Sequence, residues 1–173
     1  MQVRKKPLVE VRLEAHCPTM SLTESRTRGH AFVVDEPAFR HGTDVGPTPL
    51  ETMLGALMSC THVIARRIAH ERGWTLRVRK MSCLGHLDHR GIDLEADVPV
   101  PFPKIELDIE ADATMAAADF ERFRAELEKR LDGSAIAGQE ARRLLVRCGP
   151  ALGQAHRAVQ PSEPGRVVAA NCL

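Results

Sequence analysis

GPTPLETMLGALMSCTHVIARRIAHERG, residues 46–73, decides how the rest of the chain is read. Between Glu51 and Arg66 lie fourteen residues without a formal charge, and one cysteine, Cys60, sits among them. The run carries helix signals at both ends. Thr48 is placed to cap the first turn, Pro49 suits the first helical position, and Glu51 follows Thr48 at the capping-box spacing. At the far end Arg66, Arg67, His70 and Arg72 put positive charge where the helix dipole is negative. Gly73 can take the left-handed conformation that stops a helix. The spacing predicts a helix of about seven turns. Its first four turns have no wet face, and a helix apolar all round needs cover on all sides. The chain has few other apolar helices, so a second copy is the expected source of that cover.

Working outward, 173 residues suit one domain, and 43% apolar content is enough for a true core. No apolar run reaches the length of a membrane span, and MQVRKKPLVEV at the N-terminus lacks the apolar centre of a signal peptide. A soluble, cytoplasmic protein with no membrane partner is expected. The net charge is +1, with one tryptophan, five phenylalanines and no tyrosine. Neither a basic stripe nor an aromatic platform is present, which argues against nucleic-acid binding. Five cysteines, Cys17, Cys60, Cys83, Cys148 and Cys172, are irregularly spaced and form no C-x-x-C pair. That pattern suits neither a disulfide scaffold nor a zinc ribbon.

The N-terminal segment, 1–45, reads as strands. Leu8 to Ala15 alternates, with Val9, Val11 and Leu13 against Glu10, Arg12 and Glu14. Further strands are expected over about Met20–Thr27 and His30–Asp35, joined as an antiparallel meander. After the helix, 74–111 reads as strands again. Trp74, Leu76 and Val78 begin one, GHLDHRG (85–91) is a hairpin loop, and Ile92, Leu94, Ala96 and Val98 alternate once more. The proline-rich 98–103 is an edge or crossover, before Ile105, Leu107 and Ile109. Helices are expected over 112–148: one near Met115–Leu131, and a third from Ser134 to about Arg147. A C-terminal segment, 149–173, closes the chain with a possible strand at Arg166–Ala170. The order predicts a single α+β domain, its antiparallel sheets wrapped around one long central apolar helix.

Cys60 is the first candidate for chemistry. Its helical neighbours are Met53, Ala56, Leu57, Val63, Ile64 and Arg67, and the plain alternative is a small buried hydrophobe. It lies about three turns into the helix, beyond the reach of the terminal dipole, so a thiolate there needs an external cation. Arg67, Arg26 and Arg28 are the candidates. Cys148, before Gly149–Pro150, is a second thiol or an incidental one. Glu51 could serve as an acid or base, but the capping box explains it without function. Cys83, His86 and His89 hint at a metal, yet on a strand residues three apart point to opposite faces, and no fourth ligand lies nearby. No metal and no cofactor are expected.

RGHAFVVDEP (28–37), GPTPLETMLGALMSC (46–60) and the helix ending in RGW resemble the OsmC-like family, which includes the organic hydroperoxide resistance proteins. FPKIELDIEADA (102–113) with DFERFRAELEKR (119–130) is similar to that family's second half. The resemblance implies an intertwined homodimer with active sites at the subunit interface. It implies that Cys60 attacks an organic hydroperoxide, helped by an arginine, such as Arg28, and a glutamate, here Glu51. The sulfenic acid would condense with a second cysteine, and an external dithiol, often lipoyl-based, would reopen the disulfide. In the best-studied branch the glutamate follows the proline directly; here Leu50 stands there, and Glu51 is rotated by about 100°. The family's second cysteine precedes a proline after the second helix. Either Leu131–Asp132 occupies that place and the cysteine is gone, or Cys148 fills it after an inserted helix.

Two functions therefore stand. One is a thiol-dependent hydroperoxide reductase using Cys60 and Cys148. The other is a dimer of the same fold, without peroxidase chemistry, that binds a small apolar or electrophilic ligand at the interface. Metal chemistry through Cys83, His86 and His89 is a third, weaker option.

Overall fold

The computed structural model describes residues 8–132 and, as backbone, 142–149. Its elements are β1 (Glu14–His16), β2 (Thr23–Thr27), β3 (His30–Val34), α1 (Pro49–Glu71), β4 (Thr75–His86), β5 (Lys104–Thr114), α2 (Ala117–Asp132) and β6 (Arg142–Gly149). The α+β class is as expected. Two compact units divide the chain, residues 1–53 and 54–173.

In the first unit β1, β2 and β3 form an antiparallel sheet in that order. The first strand is far shorter than the alternation of 8–15 suggests. Glu14 already lies opposite Arg26, and β2 ends at Thr27, where the chain turns through Arg28 with φ 54°. Leu13 falls opposite Thr27, the last residue of β2, so residues 8–12 have no rung left to pair with, and Val9 and Val11 stand exposed. Alternation needs a partner strand to become a strand.

Both ends of α1 carry the hydrogen bonds their residues predict. Glu51 Oε2 accepts from the Thr48 amide at 2.8 Å, and the Glu51 amide donates to Thr48 Oγ1 at 3.3 Å. At the other end Gly73 has φ 70°. Its amide donates to His70 O at 3.2 Å while the Trp74 amide donates to Ala69 O at 2.9 Å. That pair of bonds is a Schellman motif, which glycine at the left-handed position makes cheap.

In the second unit the sheet order is β4–β5–β6. β4 and β5 are antiparallel, from Thr75 opposite Thr114 to His86 opposite Lys104, with a register shift between Val78 and Lys80. β5 is the central strand. Ile105, Leu107, Ile109, Ala111 and Ala113 are buried, while the acidic residues between them face the other side. Arg79 pairs there with Asp112 at 3.4 Å, and His86 with Glu106 at 3.2 Å. Ala65, Ile68, Phe123, Leu127 and Leu131 form the core between the helices, with Trp74 packed edge-on to Phe123. Leu54 approaches so closely that a Cβ on Gly85 would sit 3.1 Å from its methyl.

Two expectations are corrected here. Residues 92–98 do not form a strand: Leu94 takes φ 59°, and the Glu95 amide donates to Arg90 O at 2.8 Å. An Asp88–Arg90 ion pair and a His89–Asp93 hydrogen bond fold this stretch into turns, and the prolines after it leave β4 to pair with β5 instead. The segment Arg142–Gly149 is a strand, not the end of a third helix. β6 runs parallel to β5, from Arg142 opposite Ile105 to Gly149 opposite Asp112. A short Leu–Leu–Val run suits either state, and the open edge of β5 decides it. The second sheet is thus mixed rather than antiparallel. The expected start of that helix at Ser134 and the strand at Arg166–Ala170 lie outside the described residues.

Candidate active site

The geometry of the site begins with the two faces of α1. Leu57, Thr61, Ala65, Ile68 and Ala69 are buried. Ala56, Ser59, Cys60, Val63, Arg66 and Arg67 are exposed, Val63 by 62%. Within one chain, therefore, the helix is covered on one side only, and Cys60 belongs to the uncovered side. The hydroxyls beside Cys60 are both spent on the helix itself: Ser59 donates to Gly55 O at 3.0 Å and Thr61 to Leu57 O at 2.8 Å. Val63 and Arg67, three and seven residues on, share the side of the helix on which Cys60 stands.

Glu51 is committed to the cap. Its carboxyl is held below the ordinary range by the Thr48 amide and then by the Thr48 hydroxyl. Nine residues along an α-helix is two and a half turns, so Glu51 and Cys60 fall on opposite faces of α1. Arg28 sits exposed at the β2–β3 turn, and Arg26 exposed on β2 opposite Ala31. Cys148 is on β6, in register with Ala111.

Cys83 is half-buried on β4, opposite Leu107, and burial pushes its thiol up. The two histidines that follow it turn to carboxylates, His86 to Glu106 and His89 to Asp93, at 2.7 Å for the second. Among the described residues no group of three or more candidate ligands converges on a metal position.

Asp35 is a residue the sequence reading passed over. It is completely buried, and its Oδ2 accepts from the Thr43 hydroxyl at 2.6 Å and the Thr43 amide at 2.9 Å. The Asp35 amide donates to Pro47 O at 3.0 Å, so one residue gathers the loop that leads into the cap at Thr48. The Thr43 hydroxyl, above all, holds the carboxyl well below its usual range. A depressed carboxylate contributes stability above its unfolded value, about 3.9, and loses it as the pH falls below that. The only signal in the sequence is an aspartate before Glu–Pro, at the mouth of a glycine-rich loop.

A family model described as OsmC-like protein matches residues 41–143, more than half of the chain. The chain belongs to the OsmC-like family. Among solved structures it is similar to an OsmC-like protein from Mycoplasma pneumoniae, with TM-score 0.62 and 18% identity over 83% of this chain and 98% of that one. It is also similar to an OsmC-like protein of unknown function from Vibrio cholerae, with TM-score 0.57 and 10% identity, over 82% and 99%. An organic hydroperoxide resistance protein OsmC from Legionella pneumophila matches with TM-score 0.48 and 18% identity, over 82% and 98%. No curated protein matches the chain. At these identities the structures establish the fold. Among the described residues, no helix is long and apolar enough to cross a membrane.

Proposed function

We propose that this chain is a thiol-dependent peroxidase for organic hydroperoxides, with Cys60 as its nucleophile. The observation that carries the reading is the exposure of Cys60 on α1, in the segment by which the chain resembles the OsmC-like family. The thiolate attacks the distal oxygen of the hydroperoxide, an S–O bond forms as the O–O bond breaks, and the alkoxide leaves as an alcohol after taking a proton. The working form is a homodimer in which a second copy covers the outer side of α1 and an arginine, Arg28 being the first candidate, supplies positive charge beside the sulfur. Apolar Ala56 and Val63 next to Cys60 suit an organic rather than an inorganic peroxide. The reading places the enzyme in the cytoplasm, where small thiols are kept reduced. Purified protein should consume cumene hydroperoxide in the presence of dithiothreitol, and Cys60→Ser should not. Equal consumption by both would end the proposal.

One observation favours a second reading. Glu51 is occupied by the cap and turned away from Cys60, so this chain lacks a free glutamate at the position its peroxidase relatives use. In that case the outer side of α1 lines a pocket for a small electrophile that Cys60 captures. Stoichiometric alkylation of Cys60 without peroxide consumption would identify this function.

A further inference from the structure

Resting on the hydroperoxide reading, we infer that the Cys60 sulfenic acid is resolved by an external small thiol and not by Cys83 or Cys148. Two placements carry this. The helix lies on one face of the second sheet, because Leu54 reaches Gly85 and Ala65 lines one apolar space together with Leu76, Val78, Ile109 and Ala111. At about 100° per residue, Cys60 is about 120° around the helix from Leu54 and about 140° from Ala65. Its Cα is therefore on the far side of the helix axis from the sheet. The remaining cysteines of this unit within the described residues, Cys83 and Cys148, are both strand residues of that sheet, in register with Leu107 and Ala111.

The side-chain layers of a helix and a sheet keep the helix axis about 10 Å above the strands it covers. A Cα beyond that axis is farther still. A disulfide needs Cα atoms within about 7 Å, so neither strand cysteine reaches Cys60 without the helix leaving the sheet. Cys83 is disfavoured a second time, since burial pushes its thiol up and a thiolate is the attacking species. The place after α2 where the family carries its second cysteine reads Leu131–Asp132 here, and Leu131 is buried in the core.

The regeneration that remains is balanced with two equivalents of thiol. The first attacks the sulfenic sulfur; an S–S bond forms, the S–O bond breaks, and hydroxide leaves as water with the thiol's proton. The second attacks the outer sulfur of that mixed disulfide and releases Cys60 as a thiol with the oxidised reductant. A dithiol performs both steps in one molecule, and two monothiols serve equally. The enzyme cycles through a mixed disulfide at Cys60 and not through a disulfide to Cys83 or Cys148.

The test oxidises wild type and Cys148→Ser with one equivalent of cumene hydroperoxide, then adds either dimedone or 2-mercaptoethanol and maps the peptides by mass. The expected result is a dimedone adduct on Cys60 in both proteins, a mixed disulfide between Cys60 and 2-mercaptoethanol, and the same peroxide turnover with and without Cys148. A Cys60–Cys148 or Cys60–Cys83 disulfide in wild type overturns the inference while leaving the peroxidase reading intact. That mapping decides the matter even if the variant does not fold. Cys60 left unmodified and peroxide unconsumed would end both.

Discussion

The two sides of α1 are built from similar residues and lead different lives. On one side Leu57, Thr61, Ala65 and Ile68 are buried, Ala65 and Ile68 in one core with residues of α2. On the other, Ala56, Cys60 and Val63 are nearly as apolar and stand uncovered. Composition does not separate them; the register of the helix on its sheet does. The inner side specifies the fold of one chain, and the outer side, which that fold leaves uncovered, is the one to which the proposal assigns the chemistry and the second copy.

Substitutions on the two sides should separate these roles, beginning with the largest effect on stability. Ile68→Ala removes a buried side chain between α1 and α2 and should cost about 2–5 kcal/mol in a denaturant titration. A loss under 1 kcal/mol would mean that this side is not the core. Thr61→Val trades the buried hydroxyl bond to Leu57 O for a methyl and should cost about 1 kcal/mol, leaving peroxide turnover unchanged. Val63→Asp should alter the fold of a single chain by no more than about 0.5 kcal/mol, because the site is exposed within it. In the proposed dimer it puts a charge into the shared surface, so sedimentation should show monomers. Unchanged mass by sedimentation would show that a partner does not use this side. Cys60→Ser should leave the melting curve where it is and abolish turnover, the smallest structural effect joined to the largest chemical one.

Much of this was legible in the residues. Thr48, Pro49 and Glu51 announce the start of α1, and Gly73 its end, because caps are local chemistry that needs no partner to be read. The alternation of Ile105, Leu107 and Ile109 gives β5 for the same reason: a central strand shows its two faces in its own pattern. What failed was what depends on a distant neighbour. Residues 8–12 and 92–98 alternate as strands do but find no strand to pair with, and 142–149 pairs with β5 although its pattern is ambiguous. The site divides in the same way. Cys60 stands out in its own segment, but which side of α1 the fold covers does not. The place of Cys148 depends on which edge β6 takes, and Asp35 matters through contacts with Thr43 and Pro47 that spacing alone does not reveal.

The parallel pairing of β5 with β6 has a consequence for how the molecule assembles. Parallel neighbours cannot be joined by a tight turn, and the connection between them passes through α2. The strand at the heart of the second sheet therefore waits for the last described element before its second edge is closed. Until then it offers a row of unpaired amides and carbonyls beside a buried apolar face, the combination that favours association between unfinished chains. Closing that edge is a non-local step, slower than forming the β4–β5 hairpin. The acidic residues alternating along β5, Glu106, Asp108, Glu110 and Asp112, put like charges on its other face, and like charges directly opposite one another disfavour pairing with a second copy of the same strand.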